Sequence, residues 1–159
     1  MDRIWAPWRR HYVSIKKGCR KSCIFCIKKG AGKLYDKKRY ILKKSDYVFS
    51  MLNTFPYNNG HVMIAPYRHV KSLELLGPEE IMDMVGLVNY TKKKLDKKLR
   101  PHGFNIGINI EKVAGAGFPG HLHIHIVPRW LGDTNFMPAL SDTKVLSHSL
   151  DDMWKILCG

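Results

Sequence analysis

Between residues 120 and 130 the chain reads G-H-L-H-I-H-I-V-P-R-W, with histidine at 121, 123 and 125 and Leu122, Ile124 and Ile126 interleaved. Strict alternation of polar and apolar side chains is the period of a β-strand, so the pattern predicts three imidazoles on one face and aliphatics on the other. At strand geometry neighbouring histidines lie about 6.6 Å apart and the outer two about 13 Å apart. One ion can bridge neighbours, but all three rings can hardly share it. The three rings are therefore expected to have different jobs.

The rest of the chain supplies a sheet for that strand to join. Residues 39–43 and 46–52 read as short strands joined by Lys44-Ser45. Asn58-Asn59-Gly60 is a turn signal, followed by an apolar strand over 61–65 that Pro66 stops. Gly77-Pro78-Glu79-Glu80 opens a helix, with proline in the first turn and acids near the positive end of the dipole. Ile81, Val85, Val88, Leu95 and Leu99 are expected to keep one face of that helix apolar, and Pro101-His102-Gly103 to end it. A strand over 104–110, a small-residue loop over 114–120, the histidine strand over 121–127 and a final helix within 142–157 complete the order. That order predicts an α+β fold, an antiparallel sheet with one long helix and a C-terminal helix. With 159 residues, 45% of them hydrophobic, a single domain over 1–159 is expected. Its core spans about 38–140, preceded by an irregular segment, 1–37.

The formal charge of +14, from 27 Lys and Arg against 13 Asp and Glu, favours an anionic partner without choosing among nucleotide, nucleic acid and acidic lipid. Much of it lies in lysine pairs and triplets such as Lys92-Lys93-Lys94, which equally serve as solvated faces. The first ten residues hold no apolar signal region, and no run approaches the ~18 apolar residues of a membrane span. A cytoplasmic protein is expected. Cys19, Cys23, Cys26 and Cys158 are then thiols or metal ligands rather than disulfides.

C-x-x-C at 23–26 can be half of a zinc site, a redox pair or a coincidence, and its lysine-rich flanks do not suggest a thioredoxin-like setting. Zinc needs four ligands; the candidates for the other two are His11, His61, His69, His102, His148 and the triad. For the triad itself two chemistries compete. An H-x-H pair could chelate a catalytic metal, but only Glu111 and Asp133 lie near enough in sequence to complete such a site. Alternatively one imidazole is a nucleophile toward phosphorus, with its far nitrogen held by a carbonyl or another ring. The Gly115-Ala116-Gly117 loop can bring backbone N–H groups to phosphate oxygens, and the positive charge agrees. Nucleophilic catalysis fits better.

H-L-H-I-H-I-V-P resembles the His-φ-His-φ-His-φ-φ signature of the histidine triad family of nucleotidyl transferases and nucleotide hydrolases, where φ is apolar. Asn53, the G-H-V-M-I-A-P-Y-R-H block at 60–69, Asn109 and P-R-W-L-G-D-T-N-F-M-P at 128–138 also resemble family positions. The resemblance covers roughly residues 20–140. The opening D-R-I-W-A-P-W-R and the P-R-W-x-G-D-x-N-F stretch are most similar to the diadenosine tetraphosphate phosphorylase branch. The related fragile histidine triad hydrolases share a Pro-Arg after the triad.

The resemblance implies that His123 is the nucleophile, with His125 and His61 setting its tautomer and position. It implies a ribose contact for Asn53, a phosphate-side amide for Asn109, and backbone N–H groups near Gly117 and Ile124 facing the α-phosphate. It also implies a structural zinc held by Cys23, Cys26, His69 and His121. Where many relatives carry Gln-Ser or Gln-Thr before the triad, this chain has Gly117-Phe118-Pro119-Gly120, so no side-chain phosphate contact is assigned there. A homodimer is implied as well.

The expected activity is cleavage of dinucleoside polyphosphates through a nucleotidyl-histidine intermediate, with inorganic phosphate as acceptor. Hydrolysis of the same substrates or of adenosine phosphoramidates is the nearest alternative. A zinc-stabilised nucleic-acid-binding module is a rival of another class, but Trp5-Ala6-Pro7-Trp8 is the only aromatic cluster among basic residues that supports it.

Overall fold

Two close reversals organise the sheet. The first joins β1 (Ile41–Lys44) to β2 (Val48–Leu52), closed by Ser45 N–H donating to the Val48 carbonyl at 2.9 Å. The second leads from β2 to β3 (Val62–Pro66) through Gly60, whose φ of 71° suits glycine. A Cβ on Gly60 would also stand 2.5 Å from Leu99 Cδ1, so a larger residue in this turn would have to displace the Leu99 side chain at the end of the long helix. The computed structural model describes residues 23–134 and 146–159. The aromatic opening with Trp5 and Trp8, and His11, Cys19 and Asn135, lie outside these.

The remaining elements are α1 (Lys33–Lys38), a 3-10 turn at Leu73–Leu75, α2 (Pro78–Leu99), β4 (Gly103–Ile108), β5 (Ile124–Arg129) and α3 (Leu150–Cys158). The five strands form one antiparallel sheet in the order β1-β2-β3-β5-β4. The α+β class, with one long helix and a C-terminal helix, is as the sequence predicts.

Alternation along the strands sends side chains into two clusters. Val48, Leu52, Val62, Ile64 and Ile126 face α2 and α3, meeting Met84, Leu87, Leu95, Met153 and Leu157. Phe49, Met51, Met63 and Ala65 face the other way and are covered by Ile41 and Phe25. Strands β2 and β3 are buried at every position, as expected of strands covered on both faces. Each fully buried side chain of this kind contributes about 1.5–3 kcal/mol, so truncating one in either cluster is costly.

Helix α2 starts where expected. Glu80 accepts from Gly77 N–H at 2.8 Å, one half of a capping box, and Arg68 holds the same carboxylate at 2.6 Å. It ends with Arg100 in the left-handed region (φ 47°), just before Pro101. Its inward stripe differs from the expected one. Met84, Leu87, Thr91 and Leu95 are buried at 3–4 residue spacing, whereas Ile81 and Val85 are exposed. One step around a helix is about 100°, and it turns these two apolar residues away from the sheet. Among the described residues no helix is long and apolar enough to cross a membrane.

Two further details differ. A short helix, α1, lies in the segment expected to be irregular. Helix α3 lies in the stretch expected to hold it, beginning at Leu150, where Ser149 Oγ accepts from Asp152 N–H. The histidine strand begins at Ile124 rather than 121. Pro66 ends β3, and Leu122 N–H turns instead to the Val70 carbonyl at 2.6 Å, so residues 121–123 run beyond the ladder.

Candidate active site

The three rings part company where the strand ends. His121 lies among Cys23, Cys26 and His69, with one ligand atom from each of the four residues all within 4.8 Å of one another. His121 Nδ1 is 3.2 Å from His69 Nδ1, 3.5 Å from Cys23 Sγ and 3.9 Å from Cys26 Sγ, while Cys26 Sγ is 3.2 Å from His69 Nδ1. A tetrahedral zinc with ordinary Zn–S and Zn–N bonds needs ligand atoms roughly 3.3–3.8 Å apart. The donor set and its spacing both fit such an ion. His121 Nε2 donates to the Pro66 carbonyl at 2.9 Å, which fixes the tautomer and leaves the Nδ1 lone pair for the cluster. Burial, with His69 and His123 adding, lowers the His121 pKa to about 4 despite the Pro66 carbonyl, so the ring is neutral as a ligand must be.

The His123 ring is fixed by the backbone of His121. Its Nδ1 lies 2.8 Å from the His121 carbonyl, so Nδ1 carries the proton and Nε2 keeps its lone pair. Burial lowers its pKa below the ordinary 6.5, partly offset by that hydrogen bond. A neutral ring with Nε2 unprotonated is what attack on phosphorus requires. Phe25, from within the cysteine pair, stacks on His123 at 4.6 Å between centroids and an interplanar angle of 27°. Phe25 is fully buried and also meets Phe118 edge-on at 5.9 Å.

A second chain of contacts orients His125. Tyr57 N–H donates to His61 Nδ1 at 3.1 Å, and Asn53 Nδ2 lies 3.3 Å from the same atom. His61 must therefore carry its proton on Nε2, which donates to His125 Nδ1 at 2.9 Å. His125 in turn holds its proton on Nε2. Burial, reinforced by His125 and His123, pushes the His61 pKa down to about 3, so the His61 ring is neutral. The His123 and His125 rings meet edge-on at 4.8 Å.

Beside His125 opens a cavity of about 380 Å³, lined by Tyr57, Asn105, Gly107, Asn109 and Arg129 among others. Arg129 is not an uncommitted cation there. Asp133 takes its Nε and Nη2 at 2.7 and 2.9 Å, and Asn105 Oδ1 takes Nη1 at 2.7 Å. The Asp133 carboxylate also accepts from Asn58 Nδ2 and Trp130 N–H.

The sequence-derived residues fall into place unevenly. Cys23, Cys26, His69 and His121 converge, as do His61, His123 and His125. Asn53 is buried, with Oδ1 accepting from Phe55 N–H at 2.9 Å. Asn109 lies on the cavity wall, Gly117 in the loop before the triad, and Ile124 at the start of β5 opposite Ile64 and Ile108. The other ligand candidates are elsewhere: His102 accepts from Leu131 N–H, and His148 pairs with Ser147. Phe25 and Tyr57 escaped the sequence reading. Their only signals were an aromatic inside C-x-x-C and one four residues before His61.

The HIT domain family profile matches residues 36–130. A protein of Mycobacterium tuberculosis (strain CDC 1551 / Oshkosh) named AP-4-A phosphorylase is 33% identical over 99% of this chain and 83% of its own length. The bis(5'-nucleosyl)-tetraphosphatase (asymmetrical) of Schizosaccharomyces pombe is 34% identical over 53% of this chain and 46% of its own length. A zinc-bound histidine triad family protein from Mycobacterium smegmatis shares the fold at a TM-score of 0.65 and 22% identity, over 87% of this chain and 91% of that one.

Proposed function

Because this chain belongs to the HIT domain family, we propose that it cleaves dinucleoside polyphosphates of the diadenosine tetraphosphate type by transferring a nucleotidyl group through His123. The observation that carries the reading is the 2.8 Å contact from His123 Nδ1 to the His121 carbonyl, which leaves Nε2 unprotonated in a buried, neutral ring. Nε2 attacks the α-phosphorus, a P–N bond forms, and the P–O bond to the bridging oxygen breaks with its electron pair on that oxygen. The Nε2–H of His125 donates toward the developing oxyanion. In the second step an oxygen of inorganic phosphate attacks phosphorus, and the P–N pair returns to His123 Nε2.

Within this reading Asn53 keeps one amide N–H for a ribose hydroxyl, Asn109 serves the phosphate side, and the backbone N–H groups near Gly117 and Ile124 face the α-phosphate. The cluster of Cys23, Cys26, His69 and His121 holds a structural zinc. When bound, the ion anchors the segment that carries Phe25 onto His123 and holds His121, whose carbonyl sets the His123 tautomer. A homodimer and a cytoplasmic location complete the proposal.

Phosphate as acceptor draws support from the relative named as a phosphorylase, which aligns over nearly the whole chain. The relative named as a tetraphosphatase favours water as the second possibility. Product analysis on diadenosine tetraphosphate separates them. With millimolar phosphate a phosphorylase yields ADP and ATP. If AMP and ATP form at a rate indifferent to phosphate, the acceptor is water. If no nucleotide is released under either condition, the nucleotidyl-transfer reading is wrong.

A further inference from the structure

Gly107 sits in the middle of β4, exposed, directly across from His125 in the ladder. It is not among the positive-φ glycines, and a Cβ added to it would meet nothing within 4 Å. Neither backbone conformation nor crowding among the described residues asks for glycine here, and a strand-interior glycine costs about 0.5–1 kcal/mol relative to alanine. Such a glycine fits a site where a ligand or another backbone approaches the strand closely. The missing Cβ would stand perpendicular to the sheet, into the 380 Å³ cavity. Its absence thus makes room above the face, whereas a chain adding to the free edge of β4 would lie in the plane.

The chemistry of the cavity selects the occupant. It offers the Tyr57 ring, the Asn105 amide and a guanidinium whose charge Asp133 already matches. Asn105 Oδ1 is held by Arg129 Nη1, which leaves its Nδ2 N–H groups as donors. A phosphate dianion wants an uncompensated cation. An aromatic face with amide donors suits a nucleoside, through stacking and hydrogen bonds to base nitrogens. Neither His123 nor Asn53 lines this cavity, but His125 does. In an in-line displacement by His123 Nε2 the departing oxygen lies opposite the attacking nitrogen. Donation from His125 places the departing group on the cavity side.

We propose that the cavity over Gly107, bounded by Tyr57, Asn105 and His125, binds the nucleoside of the departing half of the substrate and gives the enzyme its preference for dinucleoside over mononucleoside polyphosphates. This rests on the nucleotidyl-transfer reading above. The test compares diadenosine tetraphosphate, which releases ATP when His123 takes the adenylyl group, with adenosine 5'-tetraphosphate, which releases triphosphate and has no second nucleoside. The native protein should favour the first by about tenfold or more in kcat/KM. Gly107→Val, which projects a branched side chain into the cavity in a residue type suited to strands, should remove most of that preference, lowering kcat/KM for diadenosine tetraphosphate much more than for adenosine 5'-tetraphosphate. Asn105→Ala should lower the ratio in the same direction and serves if the valine variant fails to fold. An unchanged ratio in a folded variant, or an equal fall for both substrates, overturns the proposal. So does an unchanged ratio with a changed mass by light scattering, which would assign the cavity to a second copy of the chain. If the native protein cleaves neither substrate, the parent reading fails and takes this one with it.

Discussion

His61 Nε2 lies 2.9 Å from His125 Nδ1, and the direction of that hydrogen bond is decided at the other ring nitrogen of His61, where Tyr57 N–H and the Asn53 amide meet Nδ1. The backbone of the β2–β3 connection thereby dictates which nitrogen of His125 carries a proton. Removing the relay, as in His61→Ala, leaves His125 free to exchange tautomers and to turn. The expected loss is about 10–100-fold in kcat, the range typical of orienting partners, with KM much less affected. Nitrogen NMR of the native protein should show His125 with Nδ1 unprotonated, and the variant a mixture. A kcat within twofold of native would remove His61 from the mechanism.

The same burial makes stability depend on pH. His61 has an ordinary pKa of 6.5 in the unfolded chain and about 3 in the fold, so between these values the unfolded state binds the extra proton. Stability therefore holds above about pH 7, falls as pH drops through 6.5, and goes on falling toward 3, with a slope of at most about 1.4 kcal/mol per pH unit from this group. Urea melts at pH 7, 6 and 5 should show that decline. His61→Gln should flatten it by close to one proton's worth, while the decline due to other groups stays. Equal slopes in the two proteins would show that His61 protonates in place.

The cluster of Cys23, Cys26, His69 and His121 should bring one zinc per chain through purification. Cys26→Ala or chelation should release it and lower Tm by on the order of 10 °C, since the ion's binding energy is coupled to the segment that carries Phe25. The effect should reach catalysis too, because His121 supplies the carbonyl that sets the His123 tautomer. Elemental analysis giving well under one zinc per chain would end the four-ligand proposal.

Local pattern made much of this legible. The alternation at 121–126 located the histidines, Pro66 the end of β3, and Gly77-Pro78-Glu79-Glu80 the start of α2, because each of these signals acts within a few residues. Less legible was everything decided by contact between distant segments. Phe25 meets His123 across roughly a hundred residues, a pairing that no local period announces. The strand over the triad began three residues late because Val70 captured Leu122. Ile81 and Val85 pointed outward because the sheet, not the helix, chose which stripe to bury. Arg129, which by type alone could seat a phosphate, is neutralised by Asp133, four residues on.

The nucleophile assignment allows the sharpest loss of function. His123→Asn keeps a short amide near the His121 carbonyl and much of the surface under Phe25, so the fold and the zinc content should survive. It removes the only nitrogen lone pair proposed to attack phosphorus, and turnover should fall by roughly 10³-fold or more. Acid quench of the native protein during turnover of labelled substrate would destroy the intermediate, since a phosphorus–nitrogen bond to imidazole is acid-labile. An alkaline quench should instead trap one nucleotide on the protein, and digestion should place it on the peptide containing residues 121–125. The variant should show no such adduct. Turnover within tenfold of native, or a label on another residue, would move the chemistry away from His123.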